Sequence, residues 1–275
     1  MEWARSLPFF LILLLSLSVA FAHEASAQSS DNLELSLHKN TINAIYFAVA
    51  VIAAISVYII AAKKKIEKAK KLKTALFSII VLVVLAVTIY TAGATIYLNT
   101  ISESGGPVHW HADFEVWKCG QELDLLNPTG LSNRIGTSTF HEHNDNRIHL
   151  EGVVVKKSEI TLHEFFHVIG GELNHGSMVY PTNNGAVSAS DGELCNGQPG
   201  NLQVFLYRVT NPDERKNWEY TQTKLADYED YLMAPFQSVP PGDCFIVEFG
   251  PEKNSTDKIC TTYEVAMQKG EMHGG

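Results

Sequence analysis

The sequence predicts an α+β protein: two transmembrane helices, then an extracytoplasmic β-grasp-like sheet with one packed helix. Three observations predict it. Two uncharged apolar runs, residues 41–62 and 74–98, are separated by a short basic segment. Beyond them, apolar and polar residues alternate with the two-residue period of strands. Among those strands, residues 161–169 carry a helix cap and a helical apolar stripe.

The first 22 residues read as a signal peptide, or as an uncleaved signal anchor. Arg5 supplies the positive charge, residues 9–19 the apolar core, and Ala20-Phe21-Ala22 the small-x-small cleavage site. Ala25-Ser26-Ala27 is a second candidate cleavage site. Cleavage after Ala22 makes His23 the new N-terminus, where the amino group and its own imidazole can chelate copper.

The runs at 41–62 and 74–98 contain 22 and 25 residues and no charge. Each is long enough to cross roughly 30 Å of hydrocarbon. Residues 63–73 between them hold seven Lys and one Glu. A short basic loop belongs in the cytoplasm under the positive-inside rule, which puts both flanks outside.

Residues 101–275 form the outer domain, with 25 acidic and 12 basic residues, a net of −13. That balance argues against nucleic acid as a partner and favours cations. Cys119, Cys195, Cys244 and Cys260 all lie here. An even count confined to an exported domain reads as two disulfides. Three pairings exist; Cys119–Cys195 with Cys244–Cys260 is the leading one. The absence of a C-x-x-C spacing argues against a zinc–thiolate site.

Within this domain, 102–107 is a linker. From Val108 the residues alternate: Trp110, Ala112, Phe114 and Val116 on one face, His109, His111, Asp113 and Glu115 on the other. Cys119-Gly120 makes a turn, and 122–126 returns as a second strand. Asn144-Asp-Asn146 is the turn after Phe140-His-Glu-His143, and 147–155 is a further strand with His149 facing opposite to Ile148 and Leu150. Thr161 with Glu164 forms a capping box. Leu162, Phe165, Phe166 and Ile169 form the stripe, and Gly170-Gly171 ends the helix. Residues 174–200 read as loop, 202–209 and 244–249 as apolar strands, and 227–233 as a short helix. Pro240-Pro-Gly-Asp243 reads as the last turn before the final strand.

Two H-x-H pairs and a fifth histidine carry the chemistry. In a strand, residues i and i+2 face the same way, so each pair presents two imidazoles side by side. Imidazole suits zinc and copper. His109, His111, His141, His143 and His149 are therefore candidate ligands for about one copper or zinc ion, with Asp113 or Glu142 as acceptors behind them. Protonated imidazole cannot coordinate, so binding should weaken as pH falls through about 6.5.

His163-Glu-Phe-Phe-His167 competes with this site. It is an H-E-x-x-H motif, in which two histidines hold zinc and Glu164 acts as the base on bound water. His175 is the candidate third ligand. The longer form of the motif has its third histidine six residues after the second, where this chain has Leu173. Glu164 also has a capping role.

With its H-x-H strand, H-x-H-x-x-x-x-x-H hairpin, T-L-x-x-F-F helix and late strand pair, the chain resembles an uncharacterised family. Its members are exported, membrane-anchored His-rich domains of bacteria and archaea. The matching residues are His109, His111, His141, His143, His149, Thr161-Leu162 and Phe165-Phe166, within about residues 108–250. The resemblance implies architecture; no activity comes with it.

The sequence thus points to a cell-membrane protein binding copper or zinc outside the cytoplasm. Such a chain would be a metal-holding or accessory subunit of a membrane complex rather than an enzyme. The alternatives are a zinc metallopeptidase using His163, Glu164 and His167, and a structural or interaction module without metal.

Overall fold

The computed structural model describes residues 33–131, 133–214, 216–233 and 242–274. The expected signal segment, His23 and the two prolines of the Pro240–Asp243 turn lie outside the described residues. The chain divides into two compact units, Met1–Tyr97 and Leu98–Gly275.

The described part of the first unit is helical: α1 (Leu33–Ala61), α2 (Lys63–Glu67) and α3 (Lys70–Ile101), whose last residues enter the second unit. Two stretches, Ser36–Ala61 and Lys70–Ile101, are long and apolar enough to cross a membrane. Hydroxyls within them bond their own backbone: Thr41 Oγ1 donates to Leu37 O at 2.8 Å and Thr91 Oγ1 to Val87 O at 2.6 Å. These two hydroxyls are satisfied without water, as an apolar medium favours. The expected basic loop is mostly helix, because Lys is a good helix former and no Gly or Pro interrupts it.

In the second unit, the strands are β1 (Pro107–Lys118), β2 (Gln121–Glu122), β3 (Ile135–Gly136), β4 (Phe140–Glu142), β5 (Arg147–Val153), β6 (Glu172–Asn174) and β7 (Ser177–Thr182). They continue with β8 (Gly185–Ser190), β9 (Leu194–Cys195), β10 (Gln198–Pro199), β11 (Asn201–Val209), β12 (Trp218–Leu225), β13 (Asp243–Gly250) and β14 (Met272–Gly274). Helices α4 (Leu162–Val168) and α5 (Thr261–Gln268) complete it. Among the described residues, one mixed sheet runs β14-β12-β11-β13-β1-β5-β4-β3, with β2 paired to β1. β1 runs parallel to β13 and antiparallel to β5. The expected α+β class therefore holds.

The first face of the sheet carries the main core. Phe114 and Val116 of β1, Ile148 and Leu150 of β5, and Phe245 and Val247 of β13 pack with Leu162, Phe165, Phe166 and Ile169. Phe165 meets Phe114 edge-on at 5.0 Å. Fully burying each such side chain is worth about 1.5–3 kcal/mol. The second face is covered only in part. Phe205, Tyr207, Cys244 and Ile246 pack there with Tyr263 and Ala266 of α5. Over β4, β5 and the first half of β1, that second face carries histidines instead of apolar residues.

Several expectations need correction. Among the described residues the domain packs two α-helices, not one, since α5 was not foreseen, and a 3-10 turn at Lys157–Ile160 precedes α4. Residues 174–200 are not loop: β6, β7 and β8 form a small sheet, and β9 pairs with β10. The expected strand at 122–126 shrinks to β2, which follows a tight turn with positive φ at Cys119 and Gly120. The expected helix at 227–233 is irregular chain. Its carbonyls serve α4: Leu162 N–H donates to Tyr231 O at 3.0 Å and His163 N–H to Glu229 O at 3.1 Å.

Both expected disulfides are present, Cys119–Cys195 and Cys244–Cys260. The first ties the end of β1 to β9, and the second ties β13 to the N-terminus of α5. Bridges of this kind typically contribute about 2–4 kcal/mol.

Candidate metal centre

Strand pairing assembles the histidines. In the β1–β5 register His111 lies opposite His149, His109 opposite Glu151, and Asp113 opposite Arg147. In the β4–β5 register His141 lies opposite His149. Three neighbouring strands thus set His111, His149 and His141 in one row. His109 and His143 flank it by the two-residue period. The opposite parity, Ile148 and Leu150, is pinned in the core, so no register slip can scatter the row without exposing that core.

The rings touch. Centroid separations are 4.7 Å for His109–His111, 4.7 Å for His111–His149, 4.8 Å for His143–His149 and 4.8 Å for His141–His143. His141 and His149 stack at 5.5 Å with planes 5° apart. Two groups of ligand atoms result among the described residues, His141/His143/His149 and His109/His111/Glu151, each with its atoms within 4.8 Å of one another. Either group can hold a metal ion.

Hydrogen bonds orient several donors. His143 Nδ1 donates to the Asn133 carbonyl at 2.5 Å, which leaves the Nε2 lone pair free. His149 Nε2 lies 3.3 Å from Asp145 Oδ2. Its Nδ1 is buried without a hydrogen-bond partner, as is Nδ1 of His141. Unpartnered buried nitrogens carry a desolvation penalty that a bound cation would relieve. His109 Nε2 lies 3.1 Å from His111 Nε2 and 3.3 Å from Glu151 Oε1. Donors about 2.0–2.1 Å from a tetrahedral zinc sit about 3.3–3.4 Å apart, so this spacing matches the edges of such a tetrahedron.

The electrostatics keep key imidazoles neutral. Burial, then the adjacent His149 and His109, lower His111 from 6.5 to about 4. Burial, then the adjacent His143, lower His141 to about 4 as well. Neutral imidazole is the form that coordinates.

The acceptors expected behind the histidines are elsewhere engaged. Asp113 is buried and takes Arg147 Nε at 2.7 Å. Glu142 shares the opposite face of β4, and its Oε1 accepts the Asp145 and Asn146 amides at 2.6 and 3.0 Å. Asp145 and Glu151 stand beside the histidines in their place. Glu151 was legible in principle, because it sits two residues beyond His149 on one strand. Asp145 lies in the turn, where parity says nothing.

The H-E-x-x-H residues are placed differently. His163 Nδ1 donates to Leu173 O at 2.7 Å. His167 is exposed. His175 Nδ1 lies 3.5 Å from Glu229 Oε1, and its ring stacks on Tyr228 at 5.9 Å. His163, His167 and His175 belong to neither group of clustered ligand atoms. The Glu164 amide donates to Thr161 Oγ1 at 3.2 Å, the capping half of the expected box. Leu173, where a third ligand would stand, is fully buried in the core.

No known protein family matches this chain, and no curated protein and no solved structure does either.

Proposed function

We propose that this chain is a membrane-anchored protein that holds a transition metal, copper or zinc, on the histidine face of an extracytoplasmic domain. The observation that carries the reading is the row of touching imidazoles on β1, β5 and β4, on a sheet face whose other end is covered by apolar side chains packed with α5. A solvated polar face needs no such convergence, and four of the five histidines are at least partly buried. Nitrogen donors favour zinc and copper over magnesium or calcium.

Placement follows from three features. Two apolar helices flank seven lysines, which favours the lysines inside and both flanks outside. Two disulfides favour an oxidising compartment for the domain. The central order β5-β1-β13-β11, with β1 and β13 parallel, supports the β-grasp-like description. We take the chain for a metal-holding or accessory subunit of a membrane complex, and not for a peptidase, since no third ligand joins His163 and His167 among the described residues.

The test uses the full-length protein in detergent, dialysed against zinc or copper(II), with metal per chain measured by plasma mass spectrometry. Metal should be retained by the native chain and lost when all five strand histidines are replaced by Ala, with the circular dichroism unchanged. A native chain that retains none, or a variant that retains as much, rejects the reading in favour of a module without metal.

A further inference from the structure

Six donor side chains crowd the histidine face, more than one tetrahedral ion can use. Their orientation divides them. His141, His143 and His149 converge across β4 and β5, and His109, His111 and Glu151 converge across β1 and β5. We propose that the face holds two metal ions side by side, one on each set. The inference rests on the metal-binding reading above and deepens it.

Three features support a division into two. The first is spacing: His109 Nε2 stands 3.1 Å from His111 Nε2 and 3.3 Å from Glu151 Oε1, close to the edge lengths of a tetrahedral site, so this set supplies three ligands without help from the other. The second is orientation. In the other set His143 is turned by the Asn133 carbonyl and His149 by Asp145, with Nδ1 of His149 and Nδ1 of His141 buried and unpartnered. That set therefore keeps its own donors and its own outer acceptors. The third is charge. Glu151 Oε1 lies 3.3 Å from His109 Nε2 and 4.0 Å from His149 Nδ1, between the two sets. Asp145 stands on the far side of His149. Two cations so close repel, and two carboxylates at these positions offset part of that repulsion. The repulsion that remains makes the second ion bind more weakly than the first.

Each set offers three protein ligands, so each ion keeps a corner for water or an incoming ligand. Three-ligand sites exchange their ion or bind a further ligand, whereas closed four-ligand sites are structural. A pair of open sites on a half-exposed face suits loading and release of metal.

The test is a copper(II) titration of the full-length protein in detergent, followed by electron paramagnetic resonance and by metal analysis after desalting. We expect about two equivalents in the native chain. The first should give the spectrum of an isolated ion. The second should convert it to a spin-coupled spectrum with a half-field transition. His109→Ala/His111→Ala and His141→Ala/His143→Ala should each retain about one equivalent, with an isolated-ion spectrum throughout. One equivalent in the native chain, abolished by either pair, would mean a single ion shared by both sets. That outcome overturns the two-ion proposal and leaves the metal reading standing. No retained copper or zinc at all overturns both. The native titration needs no variant, so a misfolded mutant cannot obscure the answer.

Discussion

His111 and His149 are cross-strand partners whose rings meet edge-on at 4.7 Å, yet each belongs to a different set of metal donors. The contact is the seam of the histidine face. It exists because β5 pairs with β1 on one side and with β4 on the other, so that His149 faces one histidine on each neighbour.

Because His111 and His141 are held neutral in the fold, acid should destabilise the metal-free protein. Both titrate near 4 when folded and near 6.5 when unfolded. The unfolded chain therefore binds more protons between these values. Their contribution is complete above pH 6.5 and is lost as pH falls toward 4. The urea midpoint of the metal-free protein should drop between pH 7 and pH 4.5. His111→Gln with His141→Gln should flatten that dependence. A midpoint independent of pH over this range would show that neither imidazole is held neutral.

The cap of α4 resides in the Thr161 hydroxyl and not in chemistry at Glu164. The amides of Leu162, His163 and Glu164 are already taken by Tyr231 O, Glu229 O and Thr161 Oγ1. Thr161→Ala should lose about 0.5–2 kcal/mol, the usual scale for a cap, as measured by urea unfolding. Glu164→Gln should leave stability unchanged, and no version should cleave peptides. Zinc-dependent cleavage by the native chain that disappears in Glu164→Gln would reverse this assignment.

Topology can be read with thiol labelling, without removing native cysteines, because all four are in disulfides. Single cysteines replacing Ser30, Lys68 and Ser158 should differ toward an impermeant maleimide in intact cells. Ser30→Cys and Ser158→Cys should react, and Lys68→Cys only after lysis. Labelling at Lys68→Cys in intact cells would invert the orientation.

Much of the fold was legible where burial forces a period. Ala112, Phe114 and Val116 alternate against the histidines because one face of β1 meets α4, and the stripe from Leu162 to Ile169 is the face that meets β1. The disulfide pairing was legible because Cys244 and Cys260 are close in sequence and Cys119 sits at a strand end. What was missed depends on tertiary partners. β12 carries Thr, Gln and Lys on positions that pair with β11, so little apolar periodicity marks it. Tyr228 and Tyr231 are spaced like a helix face. In the fold, however, Tyr228 Oη donates to Asn174 O at 3.1 Å and accepts the Gly176 amide at 2.7 Å. Tyr231 Oη donates to Asp243 at 3.0 Å. These distant partners hold the segment open. In the histidine face, the ligand types were visible, but their division into two sets was not. That division depends on which strand β5 pairs with on each side.

The most direct measurement is zinc K-edge X-ray absorption on the full-length, zinc-loaded protein. The histidine face predicts a first shell of nitrogen and oxygen at about 2.0–2.1 Å, with the outer-shell scattering of several imidazoles per zinc. Replacing all five strand histidines should abolish both. A purely oxygen shell without imidazole scattering, or a spectrum unchanged in that variant, would contradict metal binding at His109, His111, His141, His143 and His149.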